Sequence, residues 1–226
     1  MKDRLREKLI QISWLRKLRA RLPYRLAHWQ SRAMRYWQWN NSENIARNIC
    51  GPSATLESLE ERRDSIVWLL EPQRTDVCLD LGCGIGRVEK FIAPQVKEVH
   101  AVDFSATMLE IARKRLQSVP NVFFYQNDGA TLPFFSQARF DLAWVELVFH
   151  HVPIEITTQY LKEISRVLKP SGRFICQLPR KEFYEQQSRD ICGWMTLEEA
   201  RRLVQPLFSN VDLWQDSRHI FARVVK

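Results

Sequence analysis

The sequence predicts an α/β fold: a doubly wound, mainly parallel sheet that closes in a C-terminal antiparallel β-hairpin. Three observations predict it. From Asp76 onward short apolar runs alternate with helical patterns, the rhythm of βαβ units. The first run leads straight into a glycine-rich turn, Asp80-Leu81-Gly82-Cys83-Gly84-Ile85-Gly86. The last two runs are separated only by residues 215–219, too few for a helix, so they must pair antiparallel at a sheet edge.

Taken in order, the chain opens with apolar residues at Leu5, Leu9, Ile12, Leu15, Leu18 and Leu22, spacings of three and four that define one helical face ringed by arginines. Pro23 breaks or kinks that helix. A Trp- and Tyr-rich stretch over 24–39 follows, then a polar segment through Asn40, Asn41 and Ser42 to Gly51-Pro52. Ser53 reads as the cap of an amphipathic helix over 55–70 that stops before Pro72. These patterns divide the chain into a basic helical extension or lid, residues 1–70, and a catalytic domain, residues 71–226. Within the domain the expected strands are 77–81, 98–103, 122–126, 140–145, 172–178, 211–214 and 220–224. The expected helices are 85–93, 106–117, 156–168 and 196–204.

A chain of 226 residues with 45% apolar content can bury one substantial core plus an appendage, and two large domains would be crowded. No run approaches the roughly 18 to 20 apolar residues of a spanning helix, and MKDRLREKL lacks the apolar stretch of a secretory signal. A soluble, cytoplasmic protein is therefore expected. Five cysteines, Cys50, Cys78, Cys83, Cys176 and Cys192, form no CxxC pair, which argues against a disulfide framework and a zinc site. Charge is concentrated at one end. Residues 1–40 carry eleven Lys or Arg against Asp3 and Glu7, a balance of +9, so the rest of the chain is close to neutral at −1.

The glycine turn lets backbone approach a ligand closely and aims amide N–H groups at something anionic. The second strand ends at Asp103, whose side chain can accept hydrogen bonds from both hydroxyls of a ribose, and the third is followed by Asn127-Asp128-Gly129, where Asp128 could bind an exocyclic adenine amine. All three features fall at the sheet edge where ligands of such folds bind. The dinucleotide pattern GxGxxG fails, because its third glycine position is Arg87, and no GxxxxGK[ST] phosphate loop occurs. A nucleoside with a short carboxylate end remains, with Arg87 able to pair with that carboxylate. S-adenosylmethionine has those parts.

The ordered segments VCLDLGCGIGRVEKFIA, VHAVDFSATMLEIARKRL, VFFYQNDGATLPF, FDLAWVELVFHHVP and VLKPSGRFICQLP resemble the motif series of class I S-adenosylmethionine-dependent methyltransferases, above all the small-molecule branch. The resemblance covers about residues 70–226 and leaves the extension unmatched. It implies a Rossmann-like, seven-stranded sheet and methyl transfer from a sulfonium to a nucleophile. It also implies that Gly82, Cys83, Gly84 and Gly86 shape the methionine pocket, Asp80 helps place the amino group and Asp103 holds the ribose. Phe104 would then pack on adenine while Asp128 and Gly129 read its edge.

Methyl transfer asks mainly that the acceptor be held close, aligned and dry, and a base matters when the acceptor must lose a proton. Candidates lie just after the fourth strand: Glu146, as base or hydrogen-bond partner of the cofactor, and His150, with His151 more suited to tying down the loop. A Mg²⁺ site is a poor reading of Glu146, since only Gln177 ends the fifth strand. Where many nucleic-acid methyltransferases of this fold begin an Asn/Asp-Pro-Pro-Tyr motif this chain reads Glu-Leu-Val-Phe, which weakens a base-modifying role. The expected activity is methylation of a small-molecule or lipid-like acceptor at oxygen or nitrogen. The alternatives are a tRNA, rRNA or protein methyltransferase using the basic arm, and a noncatalytic cofactor-binding module. The extension itself reads as a lid, with peripheral membrane contact through residues 1–22 as the second reading and a nucleic-acid arm as the third.

Overall fold

The computed structural model describes residues 65–185 and 193–226. Residues 1–64, with the expectations that fall on them, lie outside the described residues, as do Cys50 and Cys192, and the last part of the helix expected over 55–70 is a 3-10 turn at Ser65–Leu69. A 3-10 turn at Ser65–Leu69 precedes β1 (Val77–Leu81), α1 (Glu89–Ile92), a second 3-10 turn (Ala93–Gln95), β2 (Glu98–Asp103), α2 (Ala106–Arg115), β3 (Val122–Gln126) and β4 (Phe140–Val145). Then come α3 (Ile154–Val167), β5 (Leu168–Pro179), α4 (Lys181–Tyr184), α5 (Leu197–Val204), β6 (Ser209–Gln215) and β7 (His219–Val225). Among the described residues no helix is long and apolar enough to cross a membrane.

The strands form one seven-stranded sheet in the order β3-β2-β1-β4-β5-β7-β6, parallel from β3 to β5, with β7 antiparallel to both β5 and β6. This is the expected Rossmann-like architecture with its closing hairpin. The apolar runs are nearly continuous because both sheet faces are covered. Alternate residues go to opposite sides: Leu79, Leu81, Val102, Ala143 and Val145 pack with α3 and α5, while Cys78, Val99, Ala101, Leu142 and Trp144 pack with α1, α2 and Ile66. Side chains cap two of the helices. Ser105 Oγ accepts from Met108 N–H at 3.3 Å at the start of α2, and Thr196 and Glu199 form a reciprocal capping box at the start of α5.

The first four strands have the expected limits, α4 was not expected, and of the remaining elements two differ most, the others moving by one or two residues at their ends. A helix expected from Ile85 begins only at Glu89, because Gly86 sits at φ +78°, a conformation no right-handed helix accommodates. β5 starts four residues early, at Leu168, where a register irregularity between Phe140 and Leu142 absorbs the Pro170-Ser171-Gly172 segment. Backbone bonds between residue 226 and both Ser171 and Gly172 hold that segment in the sheet.

Candidate functional site

The order of strands reverses between β1 and β4, so the loops leaving their carboxyl ends diverge and open a crevice. Into this edge project the ends of β1 (Asp80), β2 (Asp103), β3 (Asn127, Asp128) and β4 (Glu146). The sequence assigned these residues to one site, and the topology brings them to one edge.

The glycine turn is built by left-handed backbone at Gly82, Gly84 and Gly86, with φ of +84°, +54° and +78°. Gly82 and Cys83 both donate their N–H to Val102 O, at 2.7 and 3.0 Å, which clamps the turn against β2. A Cβ on Gly82 would fall 2.1 Å from Val148 Cγ2, and one on Gly86 would fall 2.7 Å from Leu116 Cδ1. A Cβ on Gly84, by contrast, would meet nothing within 4 Å. Two of the three glycines therefore serve close packing, and the middle one borders open space. Gly84 N–H is already committed to Asp103 Oδ2 at 2.9 Å, while Asp103 Oδ1 accepts from Ser105 N–H at 2.8 Å. Burial pushes the Asp103 carboxyl up to about 6 against the pull of these donors.

Asp128 is also buried, and its Oδ1 accepts from the backbone N–H groups of Ala130 and Thr131 at 3.0 and 2.7 Å. Burial nevertheless raises its pKa above the ordinary value. Gly129, at φ +83°, donates to Asn127 Oδ1, and the Asn127 amide in turn donates to Tyr160 Oη at 2.9 Å, so the loop is tied to α3. Phe104 is half-buried beside this loop, its carbonyl accepting from Gln126 Nε2 at 3.0 Å.

Arg87 and Glu146 form an ion pair at 3.3 Å with both side chains nearly buried, a link between the glycine turn and the end of β4 that sequence reasoning did not foresee. Glu89 was missed altogether. It opens α1 three residues past Gly86, is fully buried, and stands beside Asp80, itself 3% exposed. Burial first, and the neighbouring Glu89 second, push Asp80 well above its ordinary value, while the Trp144 indole beside it pulls the other way. Glu89 is pushed up to about 7 by its burial. An acidic residue at an otherwise apolar helical position, between Val88 and Ile92, is the signal that could have found it. Burial also raises the Cys83 thiol well above its ordinary value, so at this turn it packs as an apolar group.

His150 is 2% exposed, and neither ring nitrogen has a hydrogen-bond partner. Its ring lies 5.4 Å from that of Tyr184 on α4 and 5.2 Å from that of His219 at the start of β7, both edge-on. Burial, then the nearby His219 and His151, drive its pKa well below the ordinary histidine value, so it is held neutral. His219 can reach Asp216 Oδ2 through Nδ1 at 3.3 Å, and its pairing with Pro179 puts the β6–β7 turn at the same rim as the parallel strand ends. Tyr184 and His219 carried no motif in the sequence.

Comparison with known proteins bears on this arrangement directly. Residues 79–176 match the family model of a methyltransferase domain. A demethylmenaquinone methyltransferase of Lactococcus lactis is 38% identical over 104 residues, which are 43% of this chain and 40% of that protein, so the chain spans well under half the length of this relative. Among solved structures, the geranyl diphosphate C-methyltransferase of Streptomyces coelicolor, determined with Mg²⁺, geranyl diphosphate and S-adenosyl-L-homocysteine, superposes with a TM-score of 0.64 at 14% identity over 87% of this chain and 97% of its own. An S-adenosylmethionine-dependent methyltransferase of Methanosarcina mazei gives 0.59 at 18% identity, over 73% of this chain and 98% of that one. At these identities the two structures speak to the fold.

Proposed function

We propose that this chain, which carries a class I S-adenosylmethionine-dependent methyltransferase domain, transfers a methyl group to a small-molecule or lipid-like acceptor. The observation that carries the proposal is the rim of buried carboxyls, Asp80, Glu89, Asp103 and Asp128, set around a glycine turn whose middle residue borders open space. That rim fits the cofactor of the family. Its excess negative charge suits a ligand bearing a sulfonium and an ammonium, and acceptor oxygens suit ribose hydroxyls and an adenine amine.

In this reading Gly82, Cys83, Gly84 and Gly86 line the methionine end, with Asp80 facing its amino group and Arg87, steadied by Glu146, near its carboxylate. Asp103 holds the ribose, Phe104 covers the adenine ring, and Asp128 with Gly129 borders its edge. S-adenosylmethionine, when bound, supplies a methyl group already activated by its sulfonium. What is left to the protein is to hold an acceptor in line, exclude water and accept a proton where the acceptor has one to lose. His150, neutral and enclosed by Tyr184 and His219, suits the last task as general base, with Glu146 as the second candidate.

The acceptor reading rests on the aromatic surround of His150 and on the names of the relatives, a demethylmenaquinone methyltransferase and a geranyl diphosphate C-methyltransferase. Oxygen and nitrogen are the acceptor atoms expected from the sequence, and the name of the Streptomyces protein adds carbon. Labelled S-adenosylmethionine incubated with the full-length protein and fractionated cell extract tests this. Label is expected in the organic-soluble fraction, and label confined to RNA or protein would refute the acceptor class.

A further inference from the structure

The carboxyl pair at the floor of the crevice has a property that its role as a cofactor rim does not require. Glu89 is fully buried, and neither Oε1 nor Oε2 accepts a hydrogen bond of ordinary geometry. It stands against another buried acid, Asp80, and two adjoining carboxylates cut off from water cannot both stay ionised. The charged groups facing the pair do not resolve this. Asp80 also sees Glu146 from the end of β4, and Glu89 sees Asp103 from β2, both negative, while Arg87, a cation that acts on Glu89, is itself paired with Glu146.

We propose that Asp80 and Glu89 share one proton while the crevice lacks a cation, and that the ammonium end of the bound cofactor replaces that proton, which leaves to the solvent. The inference rests on the cofactor assignment above and adds a proton to its binding equilibrium. It makes cofactor affinity depend on pH through the amino-acid end of the ligand, separately from any titration of Asp103 at the ribose end. The atoms balance simply: one carboxyl O–H is lost to buffer, one ammonium–carboxylate contact is gained, and the net charge of the floor is unchanged.

The test is calorimetry on the full chain at pH 6.5 in two buffers of different ionisation enthalpy, phosphate and bis-tris, which reads protons released per ligand bound. Two ligands separate the ends of the site: S-adenosylhomocysteine, which has the ammonium, and 5′-methylthioadenosine, which has the same nucleoside without it. S-adenosylhomocysteine, whose ammonium takes the place of the shared proton, is expected to release up to about one proton more than methylthioadenosine. Its affinity advantage over methylthioadenosine should shrink as pH falls from 7.5 to 6.0, because the proton then competes with the ammonium for the pair. Glu89→Gln should abolish the difference in proton release. If that variant does not fold, the two-ligand comparison on the unaltered protein decides alone. Binding of both ligands with equal proton release, or with none, overturns this inference and leaves the cofactor assignment standing. Failure of both ligands to bind overturns both.

Discussion

Replacing Gly82 by alanine probes the tightest contact in the site. Two penalties act together. An alanine held at φ +84° costs roughly 1 to 2 kcal/mol as left-handed backbone. Its Cβ would also lie 2.1 Å from Val148 Cγ2, with Val148 Cβ and Cγ1 at 3.2 and 3.3 Å, so rotating the side chain substitutes one clash for another. Displacing Val148 adds roughly 1 to 3 kcal/mol of overpacking strain. A total near 3 kcal/mol should lower Tm by about 10 °C in a domain of this size. The two penalties are separable in a double-mutant cycle. Val148→Ala alone should cost about 1 kcal/mol, since this half-buried residue loses two methyl groups. In the Gly82→Ala background the same change should be neutral or stabilising, a coupling of about 1 to 2 kcal/mol measured by urea denaturation at constant m-value. Additivity of the two substitutions within about 0.3 kcal/mol would refute the claim that Gly82 is required by contact with the loop after β4.

Gly84→Ala, which meets open space, should cost only about 1 kcal/mol of stability yet weaken S-adenosylhomocysteine binding about tenfold in titration calorimetry. Glu89 has a folded-state pKa of about 7, raised above its ordinary 4.5, so the ligand-free folded protein binds the extra proton. Its contribution is therefore fully present below about pH 4.5 and lost as pH rises through 7, a loss of up to roughly 3 kcal/mol between urea curves at pH 4.5 and 8. Glu89→Gln should remove that part of the slope. His150→Phe should leave Tm within about 2 °C, because neither ring nitrogen is hydrogen-bonded, while lowering kcat by a factor of about 10² or more on a proton-bearing acceptor. Arg166→Ala should cost about 2 to 4 kcal/mol in thermal unfolding, since its guanidinium binds Phe135 O and Leu132 O, each at 2.9 Å, as well as Glu163.

The parts of the molecule that were legible in the sequence are those governed by local chemistry. β1 to β4 have the limits expected because each is a short, mostly apolar run with a polar residue of the site at or next to its carboxyl end. The convergence of Asp80, Asp103, Asp128 and Glu146 on one edge follows from parallel connection alone. What was hidden depends on contacts between distant residues or on backbone angles. The helix after Gly86 is short because of a left-handed φ that composition does not reveal, and β5 is long because residue 226 bonds back to Ser171 and Gly172. Arg87 was legible as a ligand-binding cation, but its ion pair with Glu146, 59 residues away, was not. Glu89 carries no motif, and its meaning comes from being enclosed. The surround of His150 is assembled from α4 and the start of β7, elements with no sequence link to it.

The reversal of β7 has a consequence for how this architecture diversifies. Because β7 runs against its neighbours, the bend joining it to β6 reaches the crevice from the side opposite the glycine turn, and Arg180 fastens it there through Arg218 O and Asp216 O. A bend tolerates insertion, deletion and exchange of side chains far better than the end of an interior strand does. Selection can thus retune the half of the crevice bounded by His150 and His219 while the half proposed to grip the nucleoside stays constant, so one scaffold can be fitted to many acceptors by editing a handful of hairpin residues.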